Sequence, residues 1–465
     1  MTQTKTQQLG PQIFTVWSSE IEGRIDPYFY KPWKYNFDGV LLNNFIDKIT
    51  SGKYTPRDKF LSNGTPYLRV QNLKDDSIEP GNLFLDENEK IFKTNKKTFL
   101  TGRVGSLGIF RMARDEYFYS DNILSIEFKK DKKINLEYLE IILNSDLVKE
   151  QIEKNCKGNN QKLISQETLK NLKIPLPPLS IQNKIVDIMA KAYQEKKEKE
   201  AEAGKLLESI DTYVLDQLGI KVSQVSNNIS FIVYSNEIQG RRIDPKAYLE
   251  KPKEILKAIK RSKYKTKKLL EIISHNIAGE WGEDPLFTEH TDNYVLANVL
   301  RNTNFDNKFN LNMDDVAQRL IVKNKFEKIK LQKSDILIEK SGGSPIQPVG
   351  RIAIFENDDK DFTFSNFLQC FRLNKNECLP YYLFAYIKSI YNLGYMEYVQ
   401  NQTTGIKNLI LEEYLSIPIA LPPLAIQNKI VEKINSYCSQ AKKLKDEANH
   451  NLQKAKERVE QIILG

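Results

Sequence analysis

Side chains that donate hydrogen bonds occur in loops at similar places in both halves of this 465-residue sequence. Arginine, lysine, asparagine and glutamine on loops between strands are residues with which proteins contact phosphates and read base edges. In the first half the candidates are Lys53, Arg57, Arg69, Gln71, Asn72, Arg103, Ser106, Asn159, Asn160, Gln161 and Lys162. In the second half they are Trp281, Asn298, Arg301, Asn302, Lys340, Ser341, Ser344, Gln347, Arg351, Asn401, Gln402, Thr403 and Thr404. A polar turn explains any single residue more simply, but the clusters together predict contacts to DNA.

A strongly basic stretch precedes the loops of the second half. Residues 251–270 contain nine lysines and arginines and a single acidic residue, Glu254. Polyanions are the natural partners of such a stretch, so Lys263, Lys265 and Lys267 are predicted to contact DNA phosphates. The alternative is the solvated face of an amphipathic helix, because apolar residues alternate with the lysines at helical spacing.

The sequence shows no catalytic motif beside these clusters of hydrogen-bond donors. An adenine methyltransferase needs an Asn/Asp-Pro-Pro-Tyr/Phe loop to hold a flipped base, and the nearest segment, Asp26-Pro27-Tyr28-Phe29, lacks the second proline. We interpret that segment as a helix start. Gly342-Gly343-Ser344 is followed by proline and not by lysine, as an ATP-binding phosphate loop would require. Asp335 and Glu339 flank a short apolar run, and we interpret them as exposed strand residues and not as a nuclease pair.

Metal and membrane sites are not predicted either. Cys156, Cys370, Cys378 and Cys438 include no Cys-x-x-Cys pair, and three histidines add no ligand pattern, so isolated thiols are expected. No apolar run approaches the ~18 residues of a membrane helix. The first residues also lack an apolar signal segment, so we expect the chain in the cytoplasm.

The segments that carry the polar loops are repeated. The phrase Leu-Pro-Pro-Leu-Ser-Ile-Gln-Asn-Lys-Ile-Val at 176–186 returns at 421–431 with ten of its eleven positions identical. The phrase Ile-Glu-Gly-Arg-Ile-Asp-Pro at 21–27 returns at 238–245 with one changed and one inserted residue. Because the segments between these phrases barely match, the sequence predicts one scaffold that presents two different binding specificities. Ordinary divergence after duplication is the alternative.

Each half reads as a compact mixed domain of the α/β (α+β) class. Residues 67–73 and 294–300 are weakly similar, and in both segments apolar and polar residues alternate as they do in half-buried strands. The other strand-like runs are 104–111 and 117–128 in the first half, and 334–340, 349–355 and 362–373 in the second. Helical stretches are predicted at 136–154 and 380–389. Asp244 and Pro245 suit a helix start, as Asp26 and Pro27 do in the first half.

A long helix is predicted after each Pro-Pro phrase, because apolar residues recur there every three or four positions in the manner of a coiled coil. The stripe includes Leu179, Ile181, Ile185, Leu207, Leu424, Ile426, Ile430 and Leu444. About 38 residues at ~1.5 Å each make a rod of ~57 Å, long enough to hold two domains apart. Two independent surface helices are the alternative, but each would expose an apolar seam. The predicted domains are 1–175 and 219–420, and the predicted long helices are 176–218 and 421–465.

The alternation of variable domain, Pro-Leu-Pro-Pro-Leu phrase and long helix closely resembles the specificity subunits of type I restriction-modification systems. The resemblance covers nearly the whole chain. It implies two target recognition domains that each read one half of a split, asymmetric DNA site, and a pseudo-twofold duplicated fold. It also implies that the two long helices pair antiparallel as a spacer and that the turn at Thr404-Gly405 faces the duplex. One departure concerns Ile181 and Ile426, which stand where the family phrase commonly has glutamate, so the choice of partner within the family stays open.

The resemblance further implies a non-catalytic subunit that binds double-stranded DNA and recruits two methyltransferase subunits and a restriction and translocation subunit. The methyltransferase would hold S-adenosylmethionine, the restriction subunit would hold ATP and Mg²⁺, and this chain would bind no cofactor. One alternative is a system whose methyltransferase and nuclease are fused in one partner chain. A stand-alone modification enzyme is disfavoured by the missing motifs. A coiled-coil scaffold would not need two large domains rich in loop Arg, Asn and Gln.

Overall fold

The structure, a computed structural model, describes residues 35, 37–89, 91–105, 107–131, 133–156, 163–223, 232–238, 245–288, 292–342, 347–357, 361–402 and 405–464. It divides into two compact units, residues 1–198 with 446–465 and residues 199–445. Each unit combines a mixed domain of strands and short helices with segments of two long helices. The predicted α/β (α+β) fold class is therefore confirmed.

The first unit contains one mixed domain and the start of the first long helix. Its strands are β1 (Val40–Leu41), β2 (Ile46–Ser51), β3 (Thr65–Leu68), β4 (Phe84–Leu85), β5 (Phe99–Gly102), β6 (Phe110–Met112), β7 (Phe118–Tyr119), β8 (Ile123–Phe128) and β9 (Lys173–Ile174). Its helices are α1 (Leu136–Leu143), α2 (Asp146–Asn155), α3 (Gln166–Lys170) and the long α4 (Leu179–Leu218), which continues into the second unit. Short 3-10 turns lie at Leu42–Asn44, Arg57–Lys59 and Val70–Asn72.

A four-stranded antiparallel sheet in the order β2-β8-β5-β6 supports the first domain. A three-stranded sheet, β4-β3-β7, includes a parallel pairing of β3 with β7, and β1 pairs with β9. Phe99 and Ile126 of the larger sheet share a core with Tyr138 of α1. The helix α1 begins after Asn135, whose Oδ1 accepts a hydrogen bond from the Glu137 amide at 2.8 Å. Apolar side chains at helical spacing thus hold α1 against the sheet.

The second unit contains the other mixed domain. Its strands are β10 (Thr266–Lys268), β11 (Ile273–Ala278), β12 (Tyr294–Leu300), β13 (Ala317–Val322), β14 (Ile336–Glu339), β15 (Ser341–Gly342), β16 (Ile352–Ile354), β17 (Phe362–Phe364), β18 (Leu368–Leu373), β19 (Gln400–Gln402), β20 (Lys407–Leu409) and β21 (Pro418–Ala420). Its helices are α5 (Ser235–Ile238), α6 (Glu250–Lys260), α7 (Leu269–Ile272), α8 (Lys323–Ile329), α9 (Pro380–Asn392), α10 (Leu411–Leu415) and the long α11 (Leu424–Leu464), which ends in the first unit. Short 3-10 turns lie at Pro245–Tyr248, Asn302–Asn304 and Tyr395–Glu397.

The strand order of the first domain repeats in the second. The sheet β11-β18-β14-β16 matches β2-β8-β5-β6, and β13-β12-β17 matches β4-β3-β7, again with one parallel pair. The pair β10-β21 matches β1-β9. The second domain also contains a sheet β15-β20-β19. The duplication predicted from short phrases therefore extends to the topology of both domains.

The two long helices run antiparallel within each unit. In the first unit Ile185 and Met189 of α4 share a core with Leu452 and Val459, near the end of α11. In the second unit the rings of Tyr213 and Tyr437 meet edge to face at 5.9 Å, near the end of α4 and the start of α11. The residues of the predicted stripe that fall in these two cores, Ile181, Ile185, Leu207, Ile426 and Ile430, are buried or half-buried. Leu424 and Leu444 are half-buried, and Leu179 is exposed at the start of α4. None of the described helices is long and apolar enough to cross a membrane.

The structure corrects two predictions about local elements. The pairing of 67–73 with 294–300 is wrong by five residues, because Leu68 and not Leu73 is the equivalent of Leu300. The cause is that β12 begins earlier than β3, so its N-terminal residues have no counterpart in β3. The stretch 136–154 is two helices and not one. It breaks at Asn144, whose Oδ1 accepts from the Phe110 amide at 3.0 Å.

Candidate nucleic-acid interface

Several strands of the first domain end at one edge of its sheets. Strands β2 and β5 both run antiparallel to β8, so their last residues lie beside its first. The Arg103 amide donates to the Asn122 carbonyl at 2.8 Å, just before β8. Strand β3 joins the same edge because the Ser120 amide donates to the Leu68 carbonyl at 2.9 Å. We call residues 52–54, 69–71, 103–105 and 120–122 the first polar edge.

The predicted residues at this edge differ in exposure. Lys53, Arg69 and Gln71 are exposed, as is Arg57 on a neighbouring turn, and Arg103 is half-buried. Asn72 is buried, and its side chain holds the turn together. Its Oδ1 accepts from the Arg69 amide at 2.7 Å, and its Nδ2 donates to the Glu79 carbonyl at 2.7 Å. Asn72 thus positions Arg69 and Gln71 and does not extend toward a ligand.

Aromatic rings fix the backbone behind the first polar edge. The Arg69 guanidinium carbon lies 5.9 Å from the centre of the Phe60 ring, which lies 5.1 Å from the Tyr67 ring. The Tyr67 hydroxyl donates to the Lys53 carbonyl at 2.8 Å. Burial raises the pKa of Tyr67, so the hydroxyl keeps its proton for this hydrogen bond. Lys53 and Arg69 are therefore held at neighbouring strand ends.

The second domain repeats this edge on equivalent strands. Strands β11 and β14 end where β18 begins. The Ser365 amide donates to the Leu300 carbonyl at 2.8 Å, and the Glu280 amide donates to the Phe364 carbonyl at 2.9 Å. Asn298 lies within β12 and not at its end, so it does not share this edge. We call residues 279–281, 301–302, 340–342, 347–348, 400–402 and 407–408 the second polar edge.

Trp281 is half-buried against two guanidinium groups. Its ring centre lies 4.5 Å from the guanidinium carbon of Arg319 and 5.9 Å from that of Arg301. Arg301 also pairs with the Asp315 carboxylate at 3.2 Å. The stack of Arg301 on Trp281 therefore repeats that of Arg69 on Phe60, with a different ring. Asn302, beside Arg301, is half-buried.

The remaining candidates of the second edge meet on the sheet β15-β20-β19. Ser341 is buried, and its Oγ lies 2.8 Å from Asn408 Oδ1. Lys407 Nζ donates to the Gln347 carbonyl at 3.3 Å. Asn401 is exposed and pairs with Asn408 across the strands, and Lys340, which precedes Ser341, is half-buried. The structure thus brings Lys340, Ser341, Gln347 and Asn401 together.

Some functional candidates were missed by sequence reasoning. Lys407 and Asn408 lie on the second polar edge, in β20, shortly after the predicted candidates Thr403 and Thr404 in the sequence. Asn304 repeats the role of Asn72, since its Oδ1 accepts from the Arg301 amide at 2.8 Å. The shared signal is Leu-Arg-x-x-Asn, at 68–72 and 300–304.

Several predicted residues cannot be placed. Ser106, Asn159, Asn160, Gln161, Lys162, Ser344, Thr403 and Thr404 lie outside the described residues, as does the side chain of Gln402. The repeated phrase at 21–27 and most of its second copy, including Asp244, also lie outside. Pro245 opens a short 3-10 turn, and the α-helix α6 begins only at Glu250.

The interpretation of Asp335 and Glu339 as exposed strand residues is wrong. Both are buried, because each forms an ion pair inside the second domain. Arg372 Nε lies 2.9 Å from Asp335 Oδ1, and Arg351 Nε lies 2.8 Å from Glu339 Oε2. Arg351 is buried as well, so its guanidinium is turned inward and away from the position expected of a base-reading donor.

The basic stretch lies at the other end of the second domain's sheet. Lys263, Lys265 and Lys267 precede β11, whereas the second polar edge begins after it. At ~3.3 Å per residue a strand of this length separates its ends by roughly 20 Å. Lys267 pairs with Glu377 at 2.5 Å, and Lys263 Nζ donates to the Asp216 carbonyl at 3.4 Å, near the end of α4. The structure therefore does not bring these lysines to the polar edge.

The glutamine of each repeated phrase joins a long helix to its domain. Gln182 is buried, and its Oε1 accepts from the Asn135 amide at 2.9 Å, at the start of α1. Gln427 is buried likewise, and its Oε1 accepts from the Leu379 amide at 2.9 Å, at the start of α9. The repeated phrase thus has the same structural role in both units.

Replacing Gln427 with leucine is expected to lower the free energy of unfolding by about 1–3 kcal/mol, because the half-buried Leu379 amide loses its acceptor. Urea unfolding followed by circular dichroism measures the change. Asn428→Ala, at the exposed neighbouring position, is the matched control and should stay within about 0.5 kcal/mol of the parent. Equal unfolding midpoints for both variants would contradict the role assigned to Gln427.

Taken together, the two edges offer hydrogen-bond donors on rigid strand ends. Among the described residues no group of three or more His, Cys, Asp or Glu side chains could hold a metal ion. The chemistry these edges support is recognition of polar groups, with arginine, lysine, asparagine and glutamine as donors.

The chain is similar to known proteins in both sequence and structure. A family model described as the type I restriction modification DNA specificity domain matches residues 41–203 and 261–453. No curated protein matches the sequence. The S subunit of the type I restriction-modification system from M. genitalium is 14% identical with a TM-score of 0.41, over 93% of this chain and 97% of that one. A chain from a study of complex assembly and conformational transition of the type I R-M system is 15% identical with a TM-score of 0.50, over 92% and 98%. The HsdS subunit from Thermoanaerobacter tengcongensis is 14% identical with a TM-score of 0.38, over 92% and 97%.

Proposed function

Because the chain belongs to the type I restriction-modification DNA specificity family, we propose that it reads a bipartite, asymmetric DNA site, with one half-site for each mixed domain. The first polar edge would read one half-site and the second polar edge the other. Phosphate contacts supply most of the affinity, and base contacts set the sequence. The chain is the recognition subunit of the complex, and its partners carry the catalytic chemistry.

One observation supports this proposal above the others. The two domains repeat the same strand order and the same arginine turn, but the side chains around that turn differ. Arg69 lies against Phe60, whereas Arg301 lies against Trp281. A shared frame with different polar groups is what two readers of unlike half-sites require, because base identity is read by donor and acceptor pattern.

The proposed partners are two methyltransferase subunits and a restriction and translocation subunit. The repeated Pro-Pro phrase and long helix occur twice, so they offer two similar docking surfaces for a partner present in two copies. The methyltransferase would hold S-adenosylmethionine, and the restriction subunit would hold ATP and Mg²⁺. A fused methyltransferase-nuclease partner remains the alternative, and the number and size of the chains that copurify with this one distinguish the two arrangements.

Base-reading residues are tested at one position in each domain. Arg69→Ala is expected to weaken binding to the cognate site by about 1–3 kcal/mol, and to relax sequence preference in one half-site, because alanine cannot donate to a base edge. Gln347→Ala should do the same in the other half-site. Titration of the complex against duplexes with single base-pair changes in either half-site measures both effects. Loss of preference in both half-sites from Arg69→Ala alone would contradict independent reading.

Phosphate contacts by Lys263, Lys265 and Lys267 stay a prediction. Replacing all three with alanine should weaken binding to cognate and unrelated DNA alike, and should flatten the salt dependence by about one unit of slope for each phosphate that is no longer neutralised. Binding isotherms at several salt concentrations provide the measurement. Alanine at Lys442, Lys443 and Lys445 of α11 is a charge-matched control. A loss confined to the cognate site would contradict the assignment to phosphates.

A further inference from the structure

A buried ion pair ties together the backbone behind the second polar edge. Arg351 and Glu339 are 7% and 0% exposed. Two hydrogen bonds of 2.8 Å join them, from Arg351 Nε to Glu339 Oε2 and from Arg351 Nη2 to Glu339 Oε1. This two-point geometry fixes the plane of the guanidinium as well as its position. Burial disfavours the charged guanidinium, but the hydrogen bonds to Glu339, together with the negative charge of that carboxylate, raise the pKa of Arg351.

The same guanidinium reaches the arginine turn of the second domain. Arg351 Nη2 donates to the Asn302 carbonyl at 3.2 Å, and Nη1 donates to the Phe305 carbonyl at 3.1 Å. Its guanidinium carbon also lies 5.5 Å from the centre of the Phe305 ring. Arg351 therefore holds both ends of the turn that carries Asn302.

Glu339, the other member of the pair, immediately precedes Lys340 and Ser341. The Asn302 side-chain amide donates to the Ser341 carbonyl at 3.4 Å, so the two loops touch directly. Gly342 has a φ of 131°, and an added Cβ there would lie 2.3 Å from Asn302 Nδ2 and 3.1 Å from Glu339 Oε1. A side chain on residue 342 would therefore displace the Asn302 amide from its place beside Glu339 and would strain the backbone. The ion pair joins two loops that supply candidate base-reading groups.

The first domain has no such pair at the equivalent positions. Strand register equates Glu339 with Gly102, because Ile336 and Phe99 occupy the same place in their sheets. By the same register Arg351 corresponds to Ile109. Glycine and isoleucine cannot form an ion pair, so this link belongs to the second domain.

We propose that Arg351, paired with Glu339, is a positioning residue that sets the base preference of the second half-site by fixing Asn302 relative to Lys340 and Ser341. It acts through these residues and does not touch DNA. The inference rests on the proposed function, and adds to it the residue pair that determines the geometry of one reader. Because the first domain lacks the pair, its half-site serves as an internal control.

The test replaces the pair and measures each half-site separately. Arg351→Met with Glu339→Leu removes both charges together, since exchange of a whole buried pair for apolar residues is tolerated far better than loss of one partner. The complex with its methyltransferase is assayed for methylation of the cognate duplex and of duplexes with one changed base pair in either half-site. Discrimination should fall by about tenfold or more in the second half-site, the size of one well-formed base contact. Discrimination in the first half-site should stay within about twofold of the parent, a range small beside the effect of one mismatch.

Arg351→Lys is a second, more conservative variant, which keeps the positive charge and is measured in the same methylation assay. Lysine keeps the buried cation but cannot make the two-point contact, so partial loss confined to the second half-site is expected. Equal losses in both half-sites, or full discrimination in both variants, would overturn the positioning role. The unmodified complex tests the proposed function separately from the positioning role of Arg351. If that complex does not discriminate between base pairs, the proposed DNA-reading function is wrong, whatever result the variants give.

Discussion

The purified chain, mixed with S-adenosylmethionine and DNA, is expected to transfer no methyl groups until a methyltransferase subunit is added. The physical reason is the absence from the sequence of the Asn/Asp-Pro-Pro-Tyr/Phe loop that would grip a flipped adenine. The difference should be all or none, and transfer of a labelled methyl group to a duplex that contains the site measures it.

Two controls accompany the methyl-transfer assay. The methyltransferase subunit alone should methylate the duplex poorly, because it lacks the chain that reads the site. A duplex with both half-sites scrambled should stay unmethylated by the complete mixture, while still binding weakly through phosphates. Methyl transfer by this chain alone would contradict its assignment as a recognition subunit.

Lengthening both long helices is expected to lengthen the unread spacer of the DNA site and to leave both half-sites unchanged. The boundary between the two compact units falls at residues 198–199 within α4 and at residues 445–446 within α11. Four residues inserted at each point add ~6 Å and about one turn, so each helix keeps its apolar seam approximately in register. At ~3.4 Å per base-pair step, the spacer should grow by about two base pairs.

Insertion into both helices is needed because they pair antiparallel within each unit, and a longer α4 alone would lose its match to α11. The matched control replaces Glu195–Glu198 with four other helix-forming residues without a change of length, and its spacer should equal that of the parent. The methylated motif is mapped across the genome for each strain. An unchanged spacer in an active complex would show that the helices do not set the distance, and altered bases within a half-site would show that the domains do not read independently.

The parts of the fold that follow from periodicity were predictable from the sequence. The stripe that includes Ile185 and Ile430 predicted both long helices, since a continuous apolar seam on a long helix requires a partner. The repeated phrases predicted two similar domains, and the matching strand orders confirm them. Both features depend on the spacing and repetition of residues along the chain, which can be seen directly in the sequence.

Burial of charge was not predictable in the same way. From the sequence, Glu339 is predicted to be an exposed residue at a strand end, and Arg351 is predicted to be a hydrogen-bond donor in a loop. In the structure the two residues, twelve apart in the chain, form an ion pair in the core. Asn72 likewise reads as a base-reading amide, whereas both ends of its side chain are used inside the turn. The partner of Glu339 comes from the chain beside the neighbouring strand, and the partners of Asn72 come from around its own turn. The spacing of residues in the sequence does not reveal these contacts.

Genome-wide mapping of methylated adenines, in otherwise identical cells with and without this gene, tests the central claim most directly. With the gene and its methyltransferase present, we expect methylation at one bipartite, asymmetric motif with a fixed unread spacer. Without the gene, methylation at that motif should disappear while the methyltransferase is still expressed. Persistence of the same methylated motif in cells that lack the gene would contradict the assignment of sequence recognition to this chain.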